Sequence, residues 1–198
     1  MNNKFKLVNF TIVAALACTF ASCATIIGGN QPTDKTTGSS VGPATIGSGD
    51  QTLQNDRFSA LTVTGDLNAN KITIVNDLNI ESNATLNKVT VRDDTIIKGN
   101  LTITSCTFKD STIIGNNIDS IDSYFGNGIT FGGTQLTLKA RSKVIGDIRS
   151  NSKLPATIII DKSVVKGNIS FAQNNGKVIL QNGGKLKGQV NNGRLINQ

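Results

Sequence analysis

The sequence predicts an all-β fold, a parallel β-helix in which short strands wind round one axis and successive coils stack. Three observations predict it. Gly146-Asp147-Ile148, Gly167-Asn168-Ile169 and Gly188-Gln189-Val190 repeat a glycine, a polar residue and a β-branched residue at intervals of 21 residues. A fixed period of about 20–50 residues marks a stacked repeat. The apolar positions align on those glycines: Val144, Val165 and Leu186 lie two before, Ile148, Ile169 and Val190 two after, and Leu138, Ile159 and Leu180 eight before. Three apolar columns imply three short strands per coil around an inner core, with like residues stacked about 4.8 Å apart. The third observation is composition. A chain rich in Asn, Thr, Ile and Gly, with no Trp and one Tyr, suits β-branched strands joined by tight turns. A β-sandwich of short strands is the main rival, and the aligned columns argue against it.

In chain order, residues 1–22 read as a signal peptide. Lys4 and Lys6 form a positive start, Leu7 to Ala17 is almost wholly apolar, and small residues follow. The apolar stretch is too short to span a bilayer. Phe20-Ala21-Ser22-Cys23 resembles the lipobox of bacterial lipoproteins. The resemblance implies cleavage before Cys23 and lipidation of its sulfur. Ala24, in place of a retaining Asp, is compatible with sorting to the outer membrane. Ordinary signal cleavage, leaving a periplasmic or secreted protein, is the alternative. Residues 23–57 read as an anchored or flexible linker, since Gly28-Gly29-Asn30-Gln31-Pro32 and Thr36-Thr37-Gly38-Ser39-Ser40 hold few large apolar groups. A loose cap with strand content from Val41 to Leu53 is the other reading.

Residues 58–198 read as the β-helix domain. In its first part Leu61-Thr62-Val63 corresponds to Ile72-Thr73-Ile74, and Gly65-Asp66-Leu67 to Asn76-Asp77-Leu78, at a spacing of 11. Two such units come close to the later 21, which predicts coils of about 21–22 residues throughout. Asn127-Gly128, Asn175-Gly176, Asn182-Gly183 and Asn192-Gly193 are the expected corners. Pro155 is expected at a corner or edge. Phe108, Phe125, Phe131 and Phe171 are expected in the core, and Cys106, in phase with Phe108, as a small buried residue.

Lys143-Val144-Ile145-Gly146-Asp147-Ile148, with its two successors at 164–169 and 185–190, resembles the repeated V-x-G-x-I units of bactofilins. These are polymer-forming bacterial proteins built as right-handed β-helices. The resemblance covers about the last 60 residues and implies a right-handed coil and self-association. Bactofilins lack a signal peptide and have somewhat shorter coils, so the expectation here is a scaffold outside the cytosol.

Charge is divided along the chain. Residues 25–138 hold seven Lys/Arg and eleven Asp/Glu, whereas residues 139–198 hold eleven and two. Lys143 alternates with apolar neighbours and points outward, and the 21-residue alignment sets Arg141 near Lys162, Lys143 near Lys185 and Lys166 beside Lys187. This flank has three readings: solubility and edge protection, attraction to an anionic envelope polymer or lipid, or head-to-tail pairing with an acidic half. Nucleic acid is disfavoured by the export signal.

Catalysis lacks a constellation. There is no His to serve as a general base or metal ligand. The carboxylates that might pair are Asp93 with Asp94, and Asp119 with Asp122, the latter in a stretch that reads as a loop with no basic partner in register. The expectation is a non-enzymatic protein without cofactor or metal: an exported, outer-membrane-anchored scaffold, self-assembling end to end. The end-to-end expectation comes from the final segment Arg194-Leu195-Ile196-Asn197-Gln198, which carries no cap signature. The alternative is an adhesin-like, envelope-binding module using the basic flank. A polysaccharide-active enzyme is third.

Overall fold

The computed structural model describes residues 42–198 in full and the backbone of 25–27. The signal segment, Cys23 and most of the expected linker lie outside the described residues. From residue 44 onward the chain winds as a β-solenoid of about nine turns with three parallel sheets. Sheet A has ten strands, from Thr25–Ile27 and Ala44–Ile46 to Val190–Asn191. Sheet B has nine, from Gln51–Gln54 to Gly193–Asn197. Sheet C has eight strands of two residues each, from Arg57–Phe58 to Lys185–Leu186. Each coil visits A, B and C in turn. The first full coil starts at Ala44, inside the expected linker, because Ala44, Ile46 and Leu53 already point into the core.

The aligned columns are present. Val144 pairs with Val165 and Val165 with Leu186 on sheet C, and Ile148, Ile169 and Val190 follow one another on sheet A. The coil length is 21 only in these last turns. Leu61, Leu78, Thr95, Thr112 and Ile129 are successive partners on sheet A, so the earlier coils have 17 residues. The step from Ile129 to Ile148 is 19. The 11-residue correspondence therefore joins different faces: Leu61–Val63 lies on sheet A, but Thr73–Ile74 lies on sheet C. Eleven is two thirds of a 17-residue coil, and all three faces carry the same apolar alternation, which disguises the true period. A second correction concerns the column eight before each glycine. Leu138 pairs with Ile160, and Ile160 with Leu180, while Ile159 faces outward. The coil is lengthened between Asn151 and Ala156, the loop that carries Pro155, and the sheet B register slips by one residue after it.

The core is one continuous file along the axis. On sheet C it runs Phe58, Ile74, Val91, Phe108, Phe125, Val144 and Val165, all buried. The rings of Phe108 and Phe125 stack with centroids 5.3 Å apart and planes at 16°. Phe131 and Phe171 are buried as expected.

The glycine column is explained by spacing rather than by turn conformation. A Cβ on Gly146 would collide with the carbonyl of Asn127, one on Gly167 with that of Gly146, and one on Gly188 with that of Gly167. Only glycine lets consecutive coils approach at this corner.

The left-handed corner lies elsewhere, between sheets B and C, and recurs once per coil. It is occupied by Asn55, Lys71, Lys88, Ser105, Asp122, Ala140 with Arg141, Lys162 and Asn182, all at φ between 48° and 72°. Of the expected Asn-Gly corners, Gly128, Asn182, Gly183 and Asn192 have positive φ. The αL positions are thus held mostly by side chains that bear a cost of about 1–2 kcal/mol each, which the stacked neighbours must offset.

Two polar ladders satisfy the corner N–H groups. Between sheets A and B, the amide N–H groups of Asn83, Asn100 and Asn117 donate to the Oδ1 atoms of Asp66, Asn83 and Asn100 at 2.9, 2.9 and 3.2 Å, and Thr134 N–H donates to Asn117 at 2.9 Å. Between B and C, Cys106 N–H donates to Ser123 Oγ at 3.0 Å, and Ser123 N–H to Ser142 Oγ at 3.2 Å. Val89 N–H reaches Cys106 Sγ at 3.4 Å. Cys106 is therefore buried, as expected, but as a rung of a serine ladder. Burial pushes its thiol up to about 11.

Asp66 heads the asparagine ladder and accepts from the Ser82 hydroxyl as well as from Asn83. These donors, Ser82 first, hold its carboxyl below the ordinary value of 3.8. Stability linked to this group is present above that ordinary value and is lost as pH falls through the lowered one. Asp66→Asn, which keeps an Oδ1 acceptor, is expected to leave neutral-pH stability nearly unchanged and to flatten the acid limb of a pH–stability curve. An unchanged acid limb would contradict the assignment.

Two hydroxyls point inward on sheet A without partners. Thr95 and Thr112 are paired neighbours, fully buried, and their Oγ1 atoms accept and donate nothing. A buried unpaired hydroxyl costs about 1–3 kcal/mol. Thr95→Val and Thr112→Val are each expected to raise stability by about 1 kcal/mol in denaturant unfolding; a loss would show that the hydroxyls are satisfied.

Candidate functional site

The six expected cationic residues come together on one face. Lys143 and Lys185 are the outward residues of their sheet C strands, Arg141 and Lys162 occupy the corner entering sheet C, and Lys166 and Lys187 are the first residues leaving it. All six are exposed. Arg141 and Lys162 are in adjacent coils, joined by Arg141 N–H donating to the Lys162 carbonyl at 2.8 Å. Lys166 and Lys187 are likewise one coil apart. Lys143 and Lys185 are two coils apart, with Val164 between them, because the spacing of 42 residues is twice the coil.

Their environments differ. Arg141 lies 3.4 Å from Asp122, and Lys143 Nζ sits 5.9 Å from the centre of the Tyr124 ring. Among the described residues no carboxylate oxygen lies within 4.0 Å of Lys143, Lys162, Lys166, Lys185 or Lys187. The reason is the neighbouring corner between sheets C and A. Asp93 and Asp110 occupy it in the earlier coils, whereas the same column in the later coils is Gly146, Gly167 and Gly188. The glycines required for close stacking thus also remove the counter-charge. Like charges about 5 Å apart at a surface repel by about 1 kcal/mol, so an anion placed on this face is favoured.

The acidic pairs do not make a second site. Asp93 and Asp94 are exposed on the C–A corner. Asp119 lies within a strand, Ile118–Ile121, rather than a loop, and its carboxylate is 3.1 Å from Lys139. Asp122 faces the next corner and meets Arg141. Both acids therefore have basic partners in the following coil, invisible while the coil length was misread. Among the described residues no group of three or more Cys, Asp or Glu could hold a metal ion. The asparagine and serine ladders escaped sequence reasoning too, although Asn83, Asn100 and Asn117 carry the 17-residue period openly.

No family model, curated protein or solved structure matches this chain.

Proposed function

We propose that the chain is an exported, lipid-anchored structural rod that scaffolds the bacterial envelope by stacking end to end with copies of itself. The carrying observation is the coil formed by Lys185–Leu186, Val190–Asn191 and Gly193–Asn197. Within the 198 residues it is hydrogen-bonded to the preceding coil on one side only. Its core-column residues Leu186 and Val190 are half-buried, and Leu195, which continues the Val178 column, is 47% exposed. A parallel strand from a second copy would pair its open backbone and cover these side chains. The lipobox-like Phe20-Ala21-Ser22-Cys23 supports export and anchoring at the outer membrane, and the bactofilin-like repeat units support self-association.

Multi-angle light scattering with negative-stain microscopy tests the assembly. Oligomers or filaments of rod width are expected, and Ile196→Pro, which removes a strand N–H, is expected to dissolve them. A strict monomer at high concentration overturns the reading, and mass spectrometry of the mature N-terminus tests the anchor.

A second reading is favoured by the unpaired cations: an envelope-binding module that holds an anionic ligand on the sheet C face. Its test is binding after Lys166 and Lys187 are changed to Gln.

A further inference from the structure

We propose that sheet C and its two borders form a track along the length of the solenoid that binds a single linear acidic polysaccharide lying parallel to the rod axis. This rests on the second reading above and goes beyond it in extent, direction and ligand class.

Charge in this protein is sorted by face, not by chain half. Three columns run along the sheet C side. The column entering the sheet holds Lys71, Lys88, Arg141 and Lys162. The outward column of the strands themselves holds Arg57, Lys143 and Lys185. The column leaving the sheet holds Arg92, Lys109, Lys166 and Lys187, each successive member donating its backbone N–H to the coil before. All eleven are exposed, out of 17 Lys and Arg in residues 42–198. The same three columns contain a single carboxylate, Asp122, while the other eleven Asp and Glu of those residues lie on the remaining surface. The acidic first half therefore carries its share of the track: Arg57, Lys71, Lys88, Arg92 and Lys109 stand in line with the cations of the later coils.

The geometry selects the ligand. The strands of sheet C offer one outward side chain each, so the face is a narrow ridge. From the coil of Arg57 to that of Lys185 there are seven inter-strand steps, a length of about 34 Å. A ridge of that form contacts one extended chain along its length but touches a bilayer plane with little apolar surface to insert. An extended polyuronate offers one carboxylate per sugar, at an interval close to one coil rise. Eight of the eleven cations are Lys, which binds as a point charge without the fork that grips phosphate. Single-stranded nucleic acid draws on stacked aromatics, and the columns hold one, Tyr124, already faced by Lys143.

The test titrates the full chain with oligogalacturonates of increasing length, with phosphatidylglycerol vesicles and with oligo-dT as comparators. Affinity is expected to rise with length until about eight sugars, then level off, and log K to fall linearly with log salt. Lys71→Asn with Lys88→Asn keeps a residue that tolerates the left-handed corner. That pair and Lys166→Gln with Lys187→Gln are each expected to weaken binding about tenfold, whereas Lys98→Gln, on the A–B corner, is expected to change nothing. If only the Lys166/Lys187 pair matters, the lengthwise track is overturned and the C-terminal flank stands. If vesicles or oligo-dT bind and oligogalacturonate does not, the ligand class is overturned. If no anionic probe binds, both this inference and the envelope-binding reading fail.

Discussion

Gly167→Ala is expected to destabilise the last coils by about 3 kcal/mol. The added methyl would meet the carbonyl oxygen and carbon of Gly146 and the amide of Asp147, all backbone. No side chain can swing aside, so relief requires two coils to separate, breaking the Ile148–Ile169 and Val144–Val165 pairings on either side of the corner. A solenoid couples each repeat only to its neighbours. The lesion should therefore appear in hydrogen exchange as lost protection from about residue 148 onward, with the 17-residue coils still protected. Gly183→Ala is the informative control. It has open space but φ of +85°, so it costs a left-handed penalty of about 1–2 kcal/mol without separating coils. Equal small effects of the two substitutions would contradict the close-approach explanation of the 21-residue glycines.

Phe108→Ala is expected to cost about 3–5 kcal/mol. The ring is fully buried, and its stacked partner Phe125 loses an aromatic contact as well. Position amplifies the effect. Phe108 sits in the middle of the sheet C file, with Phe58, Ile74 and Val91 before it and Phe125, Val144 and Val165 after it. A cavity there uncouples two half-rods, each too short to be strongly stable alone. Urea unfolding is expected to broaden or split into two transitions. Phe58→Ala, at the first coil, should lower stability without splitting it. A loss below about 1 kcal/mol for Phe108→Ala would mean that the ring is not a core element.

The fold class was legible because side-chain alternation and repeat period are local signals. Val144, Val165 and Leu186 announced their column at a constant spacing, and they do stack. The 17-residue period was written just as plainly in Asn83, Asn100 and Asn117. It was overlooked because Leu61-Thr62-Val63 and Ile72-Thr73-Ile74 look alike on two different faces. Period governs everything downstream. With a coil of 21 imposed on the first half, Asp119 and Asp122 had no visible partners, and Lys71 and Lys88 could not be placed in line with Arg141 and Lys162. The corners were misread for a different reason. A left-handed φ is usually announced by Gly or Asn, but here Lys71, Lys88, Ser105 and Lys162 adopt it because the stacked coils dictate it. Backbone conformation fixed by neighbours six or more strands away in sequence leaves no local trace. The single inserted residue that puts Ile160 rather than Ile159 in the core is equally silent, since all three of Ile158, Ile159 and Ile160 are apolar.

The stacking of like on like can be measured directly. Thr62, Arg149, Ser170 and Asn191 lie in the outward column of sheet A, five, six and seven coils apart when counted from Thr62. With all three cysteines changed to serine, spin labels at Thr62 and at each of the other three in turn should give pulsed electron–electron distances of about 24, 29 and 34 Å. A constant increment of one coil rise per turn is the predicted result. Distances that fail to grow with coil number would contradict the rod, and with it both the scaffold and the cationic track.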